Sequence, residues 1–263
     1  MISRPPLRRW SESDEVIRFL RSLALVIAAG SAALLTGTII LLLFWAPSTW
    51  VRAVLVGFCR FALWAGGFLC GMKVVVEGQE NIPDTPSVIM IKHTTILETY
   101  GHVAMFPKTA WVVKRELLRI PLVGWAIGLV LNPIAIDRKK GRSAVKQVIE
   151  QGKQRLADGT WVTIFPEGTR VPFGETRKYG ISGAALAEEA GVPIVPVAQN
   201  AGDFWRRHEF FAMRPGTVRF CIGPPIDASA QPPKETNVIV QGWIESKMKE
   251  ISVAYADQTE DQE

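Results

Sequence analysis

A histidine and a glutamate with catalytic potential stand five positions apart in the segment KHTTILE, residues 92–98. In a continuous helix, side chains five positions apart point about 140° away from each other, so His93 and Glu98 could not meet. They can meet if His93 lies in the loop after a strand and Glu98 lies in the first turn of the next helix. A carboxylate in that place would orient the imidazole as a general base and stabilise the imidazolium that forms when it takes a proton.

Two other interpretations of the same segment remain open. Thr95 and Glu98 match a capping box, in which the glutamate only accepts a hydrogen bond from the backbone of Thr95 at the start of a helix. Glu98 and His102 stand four positions apart and would share one helix face, so with His93 they would offer two imidazoles and one carboxylate to a metal ion. The spacing alone does not choose between catalysis and helix capping.

Basic residues follow a second predicted strand. Lys114 and Arg115 begin the segment KRELLRIPLVG, residues 114–124. Ligands of α/β folds bind at the carboxyl ends of strands, and a guanidinium can hold a phosphate with two hydrogen bonds. The segment is therefore a candidate phosphate site, with a basic loop against lipid as the alternative.

A glycine turn follows a third predicted strand in the segment FPEGTR, residues 165–170. Gly168 can adopt a positive φ, which lets successive backbone N–H groups converge on an anion, and Arg170 adds a positive charge. The alternatives are an ordinary turn and a local ion pair between Glu167 and Arg170. Together with the basic segment, this turn predicts a cationic site for a phosphorylated ligand.

The sequence lacks the familiar motifs of nucleophilic, nucleotide-dependent and zinc enzymes. It has no Gly-x-Ser-x-Gly, no P-loop, no Cys-x-x-Cys and no His-Glu-x-x-His. Its three cysteines do not indicate a disulfide framework. The pattern favours a reaction in which no side chain of the enzyme acts as the nucleophile.

Short runs of β-branched and apolar residues alternate with helical patterns from residue 73 onward. Several runs are apolar throughout, as expected of strands covered on both faces. The helical pattern is clearest at Arg142–Ala157 and Asn237–Tyr255, where apolar residues recur on one face. This alternation predicts an α/β domain. The predicted strands are Lys73–Glu77, Ser87–Ile91, Trp111–Val113, Asn132–Ile136, Trp161–Phe165, Val192–Val197 and Thr217–Ile222.

The N-terminal part of the chain is apolar enough to enter a membrane. Residues 22–51 contain no ionisable side chain, and a bilayer span needs roughly 20 apolar residues. A second apolar stretch, 53–72, is interrupted only by Arg60, whose cost at the bilayer centre favours a shallow hairpin over a second full span. By the positive-inside rule, the arginines that precede the first stretch place the N-terminus in the cytoplasm; they are Arg4, Arg8, Arg9, Arg18 and Arg21.

Composition and charge divide the chain into three parts. We expect a basic arm with membrane-anchoring helices over residues 1–72, a catalytic domain over 73–256 and an acidic tail over 257–263. The formal net charge is +5, but residues 108–155 carry eleven Lys and Arg against three acidic residues, a local net charge of +8. This basic block predicts an anionic partner such as lipid headgroups or a phosphorylated substrate. The membrane anchor and the lack of a nucleic-acid-binding motif argue against nucleic acid.

Taken in this order, the three segments resemble the motifs of the glycerolipid acyltransferase family, specifically of its bacterial 1-acylglycerol-3-phosphate acyltransferases. The family's fourth motif is similar to VPIVP at 192–196, and the resemblance covers residues 73–225. The first motif of the family usually ends in aspartate, whereas Glu98 is one methylene longer. The resemblance implies a mixed α/β sheet flanked by helices, with an N-terminal membrane-embedded helical segment.

For this chain, the resemblance implies direct acyl transfer from acyl-CoA or acyl carrier protein to the sn-2 hydroxyl of lysophosphatidic acid, giving phosphatidic acid for phospholipid biosynthesis. His93 would take the hydroxyl proton and Glu98 would orient His93, with no metal and no organic cofactor. The implied location is the cell inner membrane, with the catalytic domain facing the cytoplasm. By similarity, the acceptor phosphate would be held by Lys114, Arg115 and Arg170. The glycerol site would be shaped by Glu167, Gly168 and Thr169.

Other functions fit parts of this pattern. An acyltransferase could act on another acceptor, such as glycerol 3-phosphate or a lyso form of an amino-acid lipid. A non-catalytic membrane adaptor could hold anionic lipids with the basic block, and a metal-dependent hydrolase could use the metal site considered above. A tunnel for an acyl chain would be apolar, and Trp111, Trp125 and Phe173 are candidates to line it.

Overall fold

The structure, a computed structural model, describes residues 11–137, 141–206 and 209–256. The arginines Arg4, Arg8 and Arg9 and the predicted acidic tail 257–263 lie outside the described residues. In the described part of the chain, one mixed sheet of seven strands carries helices on both faces. The fold class predicted from the sequence is therefore confirmed.

Each predicted strand is confirmed, with ends that differ by at most two residues. The observed strands are β1 Met72–Glu77, β2 Val88–Ile91, β3 Thr109–Lys114, β4 Ile134–Ile136, β5 Trp161–Ile164, β6 Ile194–Gln199 and β7 Gly216–Ile222. Their order across the sheet is β1-β7-β6-β2-β5-β3-β4. Neighbouring strands are parallel, except that β6 and β7 are antiparallel. The carboxyl ends of β2, β5 and β3 therefore lie at one edge of the sheet, where the three candidate segments begin.

The helical patterns are confirmed with one correction. Helix α5 has the predicted bounds, but the predicted helix Asn237–Tyr255 begins earlier and is interrupted. It begins at Pro233, since proline is favourable in a first turn, and it ends at Ile251 because Ser252 is extended. Within the described residues the helices are α1 Glu12–Leu42, α2 Ser48–Cys70, α3 Leu97–Met105, α4 Val123–Leu131, α5 Arg142–Ala157, α6 Ser182–Ala190, α7 Ala201–Phe204, α8 Pro233–Ile251 and α9 Val253–Ala256.

Strand β2 lies near the centre of the sheet, and all four of its residues are buried. Because side chains alternate along a strand, Val88 and Met90 pack into the core formed with α5, α6 and α8. Ile89 and Ile91 pack into the opposite core, which includes residues of α1, α2 and α3. The loop that begins at Lys92 therefore starts from a strand that is fixed on both faces.

The apolar N-terminal region forms two helices. The uninterrupted segment predicted over 22–51 is not one helix, because α1 ends at Leu42 and Pro47 immediately precedes α2. Both helices are long and apolar enough to cross a membrane, and only 17% and 28% of their most apolar windows are buried. They pack against each other, which agrees with the predicted hairpin. Exposed apolar side chains such as Leu35 and Phe68 make both helices candidates for contact with lipid.

Candidate active site

His93 and Glu98 meet in the structure. His93 lies in the loop that follows β2, and Glu98 lies in the first turn of α3. The two side chains join through His93 Nδ1 and Glu98 Oε1, which are 2.8 Å apart. This is the placement that allows side chains five positions apart to meet.

The Glu98 carboxylate is fully buried and is held by the loop in front of α3. The backbone N–H groups of Thr94 and Thr95 each donate to Oε1 at 2.7 Å, and the Thr95 hydroxyl donates to Oε2 at 2.6 Å. The Thr95 hydroxyl also accepts a hydrogen bond from the N–H of Leu97 at 2.9 Å. Glu98 therefore accepts the Thr95 N–H, as in the predicted capping box, and also contacts His93, although the N-cap residue of α3 is Ile96, which makes no side-chain capping bond. The two interpretations of this segment are compatible.

The hydrogen bond to Glu98 fixes the tautomer of His93. Because a carboxylate oxygen accepts hydrogen bonds, His93 Nδ1 donates to Glu98, and in the neutral ring Nε2 then carries the lone pair. The imidazole also stacks on Phe165, with ring centroids 3.9 Å apart and planes inclined by 24°. The His93 side chain is 15% exposed, so it is ordered by its neighbours and still accessible. Such a ring can accept a proton at Nε2 without losing its orientation.

His102 belongs to the core. It is fully buried on α3, its Nδ1 accepts a hydrogen bond from Trp111 Nε1 at 3.2 Å, and its Nε2 lies 2.6 Å from Thr163 Oγ1. Burial lowers the pKa of His102 to about 3, so the ring is neutral. Since both ring nitrogens have partners in the core, His102 does not join His93 at a metal. No group of three His, Cys, Asp or Glu side chains suited to a metal ion occurs among the described residues.

The glycine turn directly follows β5. Gly168 has a φ of 70°, and its N–H donates to the carbonyl oxygen of Phe165 at 2.9 Å. This left-handed conformation favours glycine, which is why the sequence predicts the turn. The turn carries Arg170 to a small open cleft, hereafter the cationic cleft, which is lined by Thr95, Ile96, Arg170, Trp205, Arg206 and Phe210. A guanidinium therefore lies beside the loop that bears His93.

The other residues of the turn differ in exposure. Thr169 is partly exposed, whereas the Glu167 carboxylate is completely buried. Glu167 Oε1 lies 3.4 Å from the Nζ atom of Lys92, which is also completely buried. Glu167 thus faces an ammonium beneath the site and not the open surface of the turn.

Lys114 and Arg115 lie at the same edge of the sheet but further along it. Both are exposed, at the end of β3 and the start of the 3₁₀ helix Arg115–Arg119. Strand β5 separates β3 from β2. Neither residue is among the described residues that line the cationic cleft, so of the three predicted phosphate ligands the structure brings Arg170 to the His93 loop.

Sequence reasoning missed three residues that shape this site, namely Lys92, Gln199 and Arg206. The side-chain amide of Gln199, at the end of β6, donates to the Lys92 carbonyl at 3.0 Å and to Thr94 Oγ1 at 2.9 Å, and so holds the His93 loop. The sequence feature that could have identified Gln199 is a polar residue at the end of an apolar strand. Lys92 and Arg206 reach the site through contacts between distant segments, for which no local pattern exists.

An apolar cavity of about 170 Å³ lies between the N-terminal helices and the sheet. Its walls come from α1, α2, α3, β3 and α4. Ile96 lines both this cavity and the cationic cleft, so the cavity reaches the loop between β2 and α3. Trp111 is part of its lining, whereas Trp125 is exposed and Phe173 packs under Arg206, 4.2 Å from the guanidinium to the ring centroid.

The sequence matches a family model described as Acyltransferase over residues 73–200. It is 40% identical over 243 residues to a protein of Pseudomonas aeruginosa named 1-acyl-sn-glycerol-3-phosphate acyltransferase, and the match covers 90% of this chain and 93% of that protein. It is 29% identical over 182 residues to 1-acyl-sn-glycerol-3-phosphate acyltransferase alpha of Mus musculus, covering 67% and 62% of the two chains.

The fold is similar to a crystal structure of the 1-acyl-sn-glycerophosphate acyltransferase PlsC from Thermotoga maritima. The TM-score is 0.76, and the match covers 90% of this chain and 96% of that one. The two sequences are 24% identical in this match, so the similarity shows a common fold.

Proposed function

The chain belongs to the acyltransferase family, among the 1-acyl-sn-glycerol-3-phosphate acyltransferases, and on this basis we propose that His93 and Glu98 carry out its chemistry. The enzyme acylates 1-acylglycerol 3-phosphate, lysophosphatidic acid, and forms phosphatidic acid. In this acceptor the free hydroxyl is at the sn-2 position. The donor in our proposal is a thioester, acyl-CoA or acyl carrier protein.

The proposed reaction is a direct transfer with His93 as general base. His93 Nε2 takes the proton of the sn-2 hydroxyl while the hydroxyl oxygen attacks the carbonyl carbon of the thioester. The new C–O bond forms, the C–S bond breaks, and the proton passes from His93 to the thiolate that leaves. Glu98 keeps the ring oriented and stabilises its positive charge during the transfer. No side chain of the enzyme is acylated.

The observation that carries this proposal is the 2.8 Å contact between His93 Nδ1 and Glu98 Oε1 beside a cleft lined by arginine. A neutral imidazole with an acidic partner suits removal of a proton from an alcohol, and the arginines suit a phosphorylated acceptor. We propose that Arg170 binds the acceptor phosphate and that Gly168 and Thr169 shape the glycerol site. Lys114 and Arg115 extend the positive charge along the edge of the sheet.

Acceptor specificity tests the reaction. The purified protein is supplied with one acyl-CoA and, in separate assays, with lysophosphatidic acid, glycerol 3-phosphate or a lyso amino-acid lipid. We expect the highest kcat/KM with lysophosphatidic acid. A higher kcat/KM with either of the other acceptors would contradict the proposed function.

Arg206 extends the proposed phosphate site. It shares the cationic cleft with Arg170, and its guanidinium is supported by the ring of Phe173. Hydrogen bonds to charged groups contribute about 1.5–3 kcal/mol, so Arg206→Gln is expected to raise KM for lysophosphatidic acid about 10-fold to 100-fold. Because the residue does not contact the reacting hydroxyl in this proposal, kcat should change much less. Steady-state kinetics with varied acceptor measures both constants.

Arg214 provides the matched control for this variant. Arg206 and Arg214 both pair with Glu209, at 3.3 Å and 2.6 Å, but only Arg206 is among the described residues that line the cationic cleft. Arg214→Gln is therefore expected to leave KM near the wild-type value. Equal effects of the two variants on KM would show that the loss of a partner for Glu209, and not the loss of a phosphate contact, is responsible.

The apolar cavity is proposed to hold the acyl chain of the donor. Ala33 of α1 lines it, so Ala33→Phe is expected to shorten the space for the chain. Each buried methylene contributes about 0.8 kcal/mol, and exclusion of two would shift the ratio of kcat/KM for long over short donors by roughly 15-fold toward short chains. Leu34→Phe is the control, because Leu34 is an exposed neighbour on the same helix. An unchanged ratio in Ala33→Phe would place the chain elsewhere.

We also propose that the enzyme resides in the cell inner membrane with its catalytic domain facing the cytoplasm. The two apolar helices support membrane association, and the arginine-rich N-terminal sequence favours a cytoplasmic N-terminus. In this arrangement the cavity between α1, α2 and the sheet lies close to the bilayer, where both lipid chains are present.

A further inference from the structure

Lys92 is a completely buried lysine directly next to His93 in the chain. Its Nζ atom lies 2.7 Å from Glu245 Oε1 on α8 and 3.4 Å from Glu167 Oε1 in the glycine turn. The ring of Tyr255 lies 5.0 Å from the same ammonium. Lys92 therefore joins three parts of the fold, since it directly follows β2.

The two carboxylates around Lys92 are not equivalent. Glu245 also accepts hydrogen bonds from the hydroxyls of Tyr179 at 2.9 Å and Thr176 at 3.3 Å. Neither oxygen of Glu167 has a hydrogen-bond partner of good geometry within the described residues. Its polar neighbours are the Lys92 ammonium and the backbone N–H groups of Glu167 and His93. Burial raises the pKa of Glu167 to about 7, although the attraction of Lys92 lowers it. Lys92 thus supplies the positively charged partner of a buried carboxylate.

Helix α8 fixes this cluster from outside the three predicted segments. Its Asn237 side chain donates to the carbonyl oxygen of Tyr179 at 3.3 Å, and its Gln241 accepts a hydrogen bond from the N–H of Tyr179 at 3.4 Å. Tyr179 follows the glycine turn in the chain. The N–H of Val171 donates to the His93 carbonyl at 2.8 Å, so the turn and the His93 loop also contact each other directly. A shift of α8 would therefore move both the glycine turn and the His93 loop.

Stability alone does not explain a buried ion pair at this position. The cost of removing two charges from water often cancels their attraction, and well-packed apolar residues in their place are commonly as stable. A buried ion pair can instead favour catalysis by fixing the position of reacting groups. An error of about 1 Å in the position of a reacting group can lower the rate about 100-fold.

We propose that Lys92 and Glu245 form a positioning ion pair, through which α8 holds the His93 loop and the glycine turn in the mutual arrangement that catalysis needs. This inference rests on the proposed function of His93. Lys92 and Glu245 act through their neighbours and touch neither substrate. The pair makes a residue of the C-terminal helix a determinant of the reaction rate.

The test compares purified full-length variants by melting temperature, kcat and KM for both substrates. The double variant Lys92→Met/Glu245→Leu removes both charges and leaves apolar side chains of similar size. We expect it to lose kcat about 10-fold to 100-fold when assayed below its melting temperature, with a much smaller change in KM for the donor. Its melting temperature should fall, because the buried Glu167 loses its ammonium partner. The control is Lys153→Met/Glu189→Leu, an exposed ion pair at 3.3 Å, which should leave kcat unchanged.

A second variant guards against a folding defect. Glu245→Gln keeps the shape of the side chain, and its kcat is measured well below its own melting temperature and divided by the folded fraction. A remaining loss of about 10-fold or more supports the positioning role. Wild-type kcat in either variant after this correction overturns it. These outcomes differ from failure of the proposed function, in which the wild-type enzyme itself would not acylate lysophosphatidic acid.

Discussion

Replacement of His93 by alanine is expected to lower kcat for acyl transfer about 10²-fold to 10⁴-fold, the usual contribution of a general base. The imidazole is the group that takes the hydroxyl proton in the proposed reaction, and alanine leaves nothing in its place. The ring is partly exposed and its main apolar contact is the stack on Phe165, so the variant should remain folded. Acyl-transfer kinetics and a melting curve on the same preparation check both statements.

The binding of the acceptor serves as the control for His93→Ala. In our proposal the phosphate is bound by arginine and not by the imidazole, so the dissociation constant for lysophosphatidic acid should stay near the wild-type value. A folded His93→Ala variant that binds the acceptor and turns over at the wild-type rate would rule out His93 as the base.

Replacement of Glu98 by glutamine is expected to reduce kcat about 10²-fold to 10⁴-fold, as in enzymes where an acid orients a histidine base. The amide cannot stabilise the imidazolium by its charge. Its carbonyl oxygen can replace Glu98 Oε1 as the acceptor of the Thr94 and Thr95 N–H groups, and its NH₂ group would then replace Oε2 beside the Thr95 hydroxyl. The imidazolium of His93 would lose its charged partner.

This substitution separates catalysis from helix capping. A capping box accepts glutamine as well as glutamate, so a residue that only caps α3 would tolerate Glu98→Gln with normal kcat. Glu98→Asp is the companion variant, because it keeps the charge and shortens the side chain by one methylene. We expect it to retain more activity than Glu98→Gln. The reverse order of the two kcat values would contradict an electrostatic role for Glu98.

Parts of the site could be predicted from the sequence where neighbouring elements along the chain fix the positions of the residues. The loop between β2 and α3 is short, so the positions of His93 and Glu98 follow from the strand that precedes them and the helix that follows. Gly168 could also be predicted from local sequence, because the turn requires a left-handed φ at this residue. The strands were predictable because burial on both faces leaves nearly continuous apolar runs.

Contacts between distant segments could not be predicted. Lys92 and Glu245 are 153 positions apart, and their pairing depends on how α8 packs against the sheet. Lys114 and Arg115 were placed at the correct edge, but the position of β5 between β2 and β3 separates them from the His93 loop. The order of strands is a property of the whole fold, and no short pattern contains it.

The N-terminal helices show the same limit for apolar sequence. Residues 22–51 have no charge to mark a boundary, and the turn between α1 and α2 is indicated only by Pro47. Composition therefore predicts two membrane-associated stretches but not that α1 ends at Leu42 and α2 begins at Ser48. The packing of Leu25 and Ala65 into the core beneath the sheet also depends on the folded domain.

The most direct test of direct transfer by His93 is mass spectrometry of the products formed from lysophosphatidic acid and an acyl-CoA. We expect wild-type enzyme to form phosphatidic acid carrying the donor's acyl chain at sn-2, in equal amount to the CoA released, and His93→Ala to give only background levels of both. Equal formation of phosphatidic acid by the two proteins, or release of CoA by the wild-type enzyme without phosphatidic acid, would contradict direct transfer by His93.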